Sequence, residues 1–376
     1  MSVDATSTRH PAEATPVPNT GAPFATLGEA FDIARDRLSS DVWDFVSGGA
    51  GDETTLQDNR TEFSRWLFRP RTMSGLSMPS TTTSLLGMEL DLPVLTAPFG
   101  TDGLFDAEGH RAVARADARQ GALSIVPEAG TFSLEDVRDA APSAARIAQV
   151  HPMGDPRNFQ RMLERIANAG YSAICVTVDC PTGGWRERNL RNRFEIEPRV
   201  ISGNYPGSDS DELSEVFGQI FARNADVWSW EELADAMRHT ALPWIAKGIL
   251  TAEDARRAVD AGAAAVMVSN HGGRQLDGAP SALAQLPEVV AAVGRDVEVI
   301  LDSGIRRGSD VVKAVALGAK AVVIGRLAVV ALAAAGENGV EHALRLLKEE
   351  IITVLTLVGR GSIAELNSDA VTRRVP

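Results

Sequence analysis

LDSGIRRGSDVVKAVALGAKAVVIGR, Leu301–Arg326, holds one full period of the pattern that decides the fold. An apolar run ends in Asp302-Ser303-Gly304, and a turn carries Arg306 and Arg307. An amphipathic segment follows, and a second apolar run closes with Gly325-Arg326. Short apolar runs rich in Val, Ile and Ala, separated by amphipathic segments, predict parallel strands covered on both faces by helices. Working outward, the unit recurs as LPVLTAPFG (92–100), ALSIVPEAG (122–130), ARIAQVHP (145–152), SAICVTVDC (172–180), LPWIAKG (242–248) and AAVMVSNHGG (264–273). With VEVILDSG (297–304) and AVVIGR (321–326) the runs number eight, the count of a closed barrel.

Periodicity alone leaves an open doubly wound sheet as the alternative, and the run ends decide against it. Gly100, Glu128, Gln149 with His151, Thr177 with Asp179, Lys247, Asn270 with His271, Asp302 and Arg326 all close apolar runs. A barrel gathers such ends into one mouth, where its active site lies; an open sheet would string them along an edge. The expectation is an α/β chain, residues 26–376, built as a single (β/α)8 TIM barrel with an N-terminal helical segment.

Residues 1–25 are rich in Pro, Thr, Ala and Ser, lack hydrophobic periodicity and lack the apolar core of a signal peptide, so they read as a disordered tail. Order is expected from Thr26-Leu27-Gly28-Glu29, with Phe31, Ala34 and Leu38 at helical spacing. The interval from Asp179 to Leu242 is too long for an ordinary connection, and residues 195–240 read as a lid after strand four. Composition excludes other classes. The chain has 50 acidic against 37 basic residues and no prominent basic run, which argues against nucleic-acid binding. No apolar stretch is long enough to span a membrane. Cys175 and Cys180, the only cysteines, are too few and too interior for a disulfide framework or a zinc site, so no metal is expected and the location reads as cytoplasmic.

Three strings carry chemistry. In SNHGGRQLDGAPS (269–281) a strand runs into His271, two glycines and Arg274. That places a base and a carboxylate fork beside one cavity. In TVDCPTGGWRERNLRNRF (177–194) Asp179 can hold an imidazole in one tautomer, and Arg186 supplies a second guanidinium. Arg188, Arg191 and Arg193 read as structural. In the opening string, amides freed by Gly304 and Gly325, with Arg306 and Arg326, would neutralise a phosphate, and Asp302 could take a sugar-like hydroxyl. Lys247, one of four lysines, ends an apolar strand, where an ammonium needs an anionic partner. A flavin anion, a Schiff-base role and a snorkelling side chain all suit it.

Together these strings resemble the FMN-dependent 2-hydroxy-acid oxidase/dehydrogenase family, which includes glycolate and lactate oxidases and mandelate dehydrogenase. The likeness runs from Asp44 to Leu366 through DFVSGGAGDETTLQDNR, FRPR, TVDCP, WIAKGILTAEDA, SNHGGRQLDG and DSGIRRGSDVVKA. It implies FMN across the barrel mouth, with phosphate near Asp302, Gly304, Arg306, Gly325 and Arg326. Gln149, Thr177, Lys247 and Ser269 would contact the ring and ribityl chain, with Pro98 and Gly100 beside it. It implies His271 as the base that takes a proton from the 2-hydroxy acid, Asp179 as its stabiliser, Arg186 and Arg274 as carboxylate clamps, and Lys247 as the charge beside the reduced flavin. A homotetramer is also implied, with oxygen, a quinone or a protein as electron acceptor.

Departures from the pattern stand out. Phe45 and His151 occupy positions where the family usually carries tyrosines. The chain has only Tyr171, expected at the far end of the barrel, and Tyr205, which could reach the mouth from the loop. A hydroxyl lost at Phe45 removes a hydrogen bond worth roughly 1.5–3 kcal/mol if it met a buried charge. Pro127 and Ala129 alter the second strand end, and Gly100, in place of a commoner alanine, points to slow use of oxygen. Ser303 stands where glycine is commoner and Leu327 where proline often follows; both read as tolerable. The expected substrate is therefore a bulky or non-standard 2-hydroxy acid. Alternatives are an amino-acid-like or tethered substrate of specialised biosynthesis, and a flavin-binding scaffold without turnover.

Overall fold

The computed structural model describes residues 21–205 and 227–374. Nearly all of the expected tail, and residues 206–226 of the expected lid, lie outside the described residues. Eight parallel strands form the barrel: β1 (Val94–Thr96), β2 (Leu123–Val126), β3 (Arg146–Val150), β4 (Ala173–Thr177), β5 (Trp244–Ile249), β6 (Ala265–Val268), β7 (Glu298–Leu301) and β8 (Val322–Ile324). They pair in chain order, and β8 returns to β1 with Val322 opposite Val94, which closes the sheet and disposes of the open alternative.

Side chains alternate between the two faces of a strand, so every second residue of each strand points into the barrel. Leu95, Leu123, Ile125, Ile147, Ala173, Cys175, Ile245, Met267, Ile300 and Val323 pack there as a dry interior. The next inward positions are Ala97, Gln149, Thr177, Lys247, Ser269, Asp302 and Gly325. The same period of two thus turns from apolar to polar and small at one level, and lays a polar floor across the mouth. The opposite end is plugged by a hairpin of Thr83–Leu85 and Met88–Leu90, whose Leu85 and Leu90 join the interior cluster.

Three helices precede the barrel: α1 (Leu27–Arg37), α2 (Ser40–Ser47) and α3 (Thr54–Arg65). Thr26 caps α1 by accepting the Glu29 amide through its hydroxyl. The fully buried face of α1 is Leu27, Ala30 and Ala34, and Phe31 and Leu38, noted at helical spacing with Ala34, pack partly buried against the same core. Phe31 also lies beneath the Arg306 guanidinium, 4.4 Å from ring centre to cation. Asn59 of α3 and Asn270 after β6 exchange two side-chain hydrogen bonds of 2.8 Å each, both residues being buried. Each amide satisfies the other, which locks α3 against the mouth.

One boundary differs from the reading of the sequence. Arg326 does not end strand eight; it opens a helix, Arg326–Val358, that kinks at Gly336 (φ +58°). In the lid interval a helix occupies Trp230–Met237. Asn59→Ala is expected to lower the unfolding free energy by about 1–3 kcal/mol, because it removes two buried side-chain hydrogen bonds and leaves Asn270 only Pro280 and Gly273 as partners. Denaturation against the unmodified protein measures this, and an unchanged transition would contradict the tie.

Candidate active site

The residues after β6 leave the strand in the left-handed region: His271 at φ +57°, Gly272 at +68° and Gly273 at +74°. A left-handed histidine is costly and persists only where its surroundings over-determine it. Here the His271 amide donates to Ser269 Oγ (3.1 Å) and Gly272 donates to Ser303 Oγ (2.9 Å). Ser303, itself at φ +73°, donates to Asp302 Oδ1 (2.6 Å). The positive φ explains why a glycine would sit easily at 303, and the hydroxyl explains what serine adds.

Three strand ends converge on the His271 imidazole. Its Nδ1 lies 3.2 Å from Asp179 Oδ1 and 3.3 Å from Lys247 Nζ. The Lys247 ammonium, buried on the floor, stands 3.9 Å from Asp179 and 3.9 Å from Asp302. Gly248, at φ +109°, makes room for this: a Cβ there would fall 2.5 Å from Asp179 Cβ. Burial works against the lysine's charge, yet Asp179 and Asp302 outweigh it and raise the ammonium above its ordinary range. A lysine held charged in this way is no Schiff-base nucleophile. Burial would raise Asp179, but Lys247 and His271 outweigh it and hold that carboxyl well below the usual range. Asp302 is raised, burial there exceeding the pull of Lys247. Burial, then Lys247, push the His271 imidazole down to about 4 against the attraction of Asp179. The imidazole is therefore neutral at pH 7, with Nδ1–H on Asp179 and Nε2 left as a base.

Cys180 lies 3.3 Å from His271 Nδ1, and burial raises its thiol well above the ordinary value. It stays a neutral thiol, which makes it a poor ligand beside Asp179 and His271, the one metal-sized cluster among the described residues.

Above the floor lies a cavity of about 790 Å³. Phe45, Pro98, Gly100, His151, Arg186, Lys247, His271, Arg274, Asp302, Gly304, Arg306, Gly325 and Arg326 all line it, so most of the residues expected at the site meet there. Asp179, Gln149, Thr177 and Ser269 do not reach the lining and sit beneath it as support. Tyr205 also misses this cavity. Tyr171 is at the far end as expected, donating to the Leu134 carbonyl.

Four lining arginines have no carboxylate within 4.0 Å among the described residues. Arg274 donates to the carbonyls of Phe45 and Gly48 and lies over the Phe45 ring. Arg186 donates to the Arg274 carbonyl and to Gln275. Arg326 donates to Val46, Gly272 and Gly48. Burial, followed by neighbouring guanidiniums, lowers Arg274 well below its ordinary value and Arg326 to about 10; burial and Arg60 lower Arg306. Clustered, desolvated cations held only by neutral carbonyls favour an incoming anion.

Sequence reasoning passed over two supporting groups. Gln275 donates to the carbonyls of Asp179 (2.8 Å) and Thr182 (2.9 Å), fastening the two chemistry-bearing loops together. Glu128, noted only as a polar strand end, receives a hydrogen bond from Tyr205 and pairs with His151. Neither contact follows from spacing, since each joins strands far apart in the chain.

With this geometry in view, comparison with known proteins is direct. The sequence matches the FMN-dependent dehydrogenase family over residues 34–373. It is 40% identical over 343 residues to glycolate oxidase 1 of Zea mays, covering 89% of this chain and 92% of that protein. It is 40% identical over 353 residues to L-lactate oxidase of Nostoc sp., covering 91% and 96%. A crystal structure of mandelate oxidase superposes with a TM-score of 0.85 at 38% identity, covering 94% of this chain and 99% of that one. The chain belongs to the FMN-dependent dehydrogenase family. It is an FMN-dependent oxidoreductase of the 2-hydroxy-acid oxidase type, acting on CH–OH. No helix among the described residues is long and apolar enough to cross a membrane.

The residues present fit FMN. The Lys247 ammonium faces the cavity, the buried Thr177 hydroxyl beneath it has no hydrogen-bond partner, and Ala97, Gly100 and Gly325 keep the floor and wall low enough for a flat ring.

His271 is expected to titrate near 4 in the protein without substrate. The unfolded chain takes the same proton near 6.5, so the native state loses stability as pH falls from 6.5 towards 4. A histidine-detected NMR titration reads the value, and a midpoint near 6.5 would be incompatible with the ammonium contact.

Proposed function

We propose that this chain oxidises a bulky 2-hydroxy acid to the 2-oxo acid, and the observation that carries the reading is the pairing of a neutral, carboxylate-held imidazole with buried guanidiniums that lack an anion. The substrate carboxylate enters between Arg186 and Arg274, exchanging backbone carbonyls for a charged partner. That fixes the 2-hydroxyl towards His271 Nε2, which removes its proton. Asp179 accepts Nδ1–H and stabilises the imidazolium that results, as a buried carboxylate does in other acid–base pairs. Lys247 keeps a fixed positive charge at the floor, where it opposes premature protonation of His271. FMN would lie over that floor beside Lys247, with Gln149, Thr177 and Ser269 supporting the floor from beneath and its phosphate at Gly304, Arg306, Gly325 and Arg326, and would take the two electrons and the hydrogen that leave C2 of the substrate.

Size and polarity of the pocket support a bulky substrate. Phe45 contributes a ring, stacked on Phe194 at 5.0 Å, where a hydroxyl would otherwise stand. Trp185, Leu190, Ile196 and Ile201 extend the same apolar wall. Such a wall gains free energy from an aromatic or long aliphatic side chain and little from glycolate or lactate.

His271→Ala should give yellow protein whose turnover falls by about 10²–10⁴-fold, the range of a lost general base. Full activity in that variant would remove His271 from the chemistry. Arg306→Ala and Arg326→Ala should instead raise the FMN dissociation constant, read by fluorescence of released flavin on dilution; unchanged retention in both would displace the phosphate site. Anaerobic titration with chemically diverse 2-hydroxy acids tests the substrate class. Bleaching by bulky acids at lower concentration than by lactate or glycolate is expected, and the reverse order would refute it.

A further inference from the structure

Glu128 lies two residues past β2, 4% exposed, and among the described residues no lysine or arginine pairs with it. The Tyr205 hydroxyl donates to its Oε1 at 2.5 Å. Its Oε2 accepts the His151 backbone N–H at 2.9 Å and lies 2.8 Å from His151 Nδ1. A backbone N–H can only donate, so that oxygen is already an acceptor and the proton shared with the ring sits on Nδ1. A neutral imidazole with Nδ1–H carries a bare Nε2.

Gln149 reinforces this polarity. Its Oε1 accepts the Glu128 backbone N–H at 3.3 Å, which turns the amide nitrogen towards His151, 3.3 Å from each ring nitrogen. Equal distances place the amide across the ring between the two nitrogens, not on the Nε2 lone pair. His151 lines both the main cavity and a smaller one of about 100 Å³, whereas Glu128 lines only the smaller. The carboxylate therefore stands behind the ring and leaves Nε2 for the main cavity. The arrangement is anchored: Asn204 donates to the Glu128 carbonyl (2.9 Å), Gly203 to Gly130 (3.0 Å) and Thr131 to Val200 (2.9 Å). Residues 200–205 are thereby stitched to the β2 loop, with Tyr205 against Glu128.

We infer that Glu128 is a positioning residue that makes His151 a hydrogen-bond acceptor in the pocket wall, so that the substrate is a 2-hydroxy acid whose side chain carries an O–H or N–H donor. A phenol at this place would offer a donor; the Glu128–His151 pair inverts that polarity. β3, which delivers His151, stands three strands from β6, which delivers His271. With His271 taking the 2-hydroxyl, the donor that meets His151 is assigned to the substrate's side chain. This rests on the substrate reading proposed above. A substrate lacking the donor leaves Nε2 desolvated and unpaired, which is how a polar wall rejects an analogue.

Two measurements test it. In ¹⁵N-histidine-labelled flavoprotein, with His151→Phe identifying the resonance among six histidines, Nε2 of His151 should appear unprotonated and Nδ1 protonated. A protonated Nε2 overturns the inference, whatever the substrate is. In anaerobic flavin bleaching, 2-hydroxy acids bearing a side-chain hydroxyl should half-saturate at about tenfold lower concentration than their methyl ethers, the upper range for a neutral hydrogen bond. The advantage should lie in half-saturation and not in the saturated rate, and should vanish in Glu128→Gln and in His151→Phe, the second of which leaves Glu128 and its loop in place. Equal half-saturation of both members in the unmodified protein overturns the inference alone. Bleaching by no member of any pair overturns the substrate reading and this inference with it.

Discussion

A single buried ammonium organises the site. Lys247 sits on the floor of the barrel mouth, 3.9 Å from each of two carboxylates and 3.3 Å from an imidazole nitrogen. Desolvating that charge is unfavourable, and Asp179 and Asp302 together reverse the balance. The consequences spread outward: Lys247 and His271 hold the Asp179 carboxyl well below its usual range, and burial with Lys247 lowers the His271 imidazole to about 4, favouring its neutral form. Replacing any one member changes the charge felt by the other three, so the four groups act as one unit.

Around this unit the chain tolerates local cost. His271 and Ser303 adopt left-handed backbone, and four arginines crowd the cavity without carboxylate partners among the described residues. Both features are unfavourable in isolation. Packing and backbone hydrogen bonds hold them: the carbonyls of Val46, Gly48 and Gly272 on Arg326, the Asn59–Asn270 exchange, and Gln275 across two loops. An unfavourable arrangement retained by so many contacts marks where the molecule is adapted to meet an anion.

The two walls of the pocket differ in how far they depart from the family's usual residues. The wall with His271, Arg274 and Lys247 keeps the expected groups in a mutually consistent arrangement. The wall built by β2, β3 and the 200–205 segment does not. There a histidine held by a buried carboxylate stands where the family resemblance leads one to expect a phenol, while Phe45, the other position where a tyrosine is expected, lies beneath Arg274 on the opposite wall. On the proposed reading the chemistry is kept and recognition altered, as expected when one scaffold serves different substrates through its loops.

Much of this was written along the chain. Eight apolar runs, each ending in a polar or small residue, determined the barrel, because a strand exposes alternate residues to one face and a closed sheet turns eight strand ends into a ring. SNHGGRQ, TVDCP and WIAKG carried, as local strings, the imidazole, carboxylate and ammonium that the fold brings together. Three things only the folded molecule decided. Gln149, Thr177 and Ser269 lie below the cavity, whereas Phe45 of α2 and Arg186 of the loop after β4 line it. Arg326 belongs to a helix and spends its donors on three carbonyls from two distant segments. Glu128, Tyr205 and His151 form one hydrogen-bonded unit across 77 positions of chain. Such contacts depend on direction and distance between strands, quantities that composition and period do not carry.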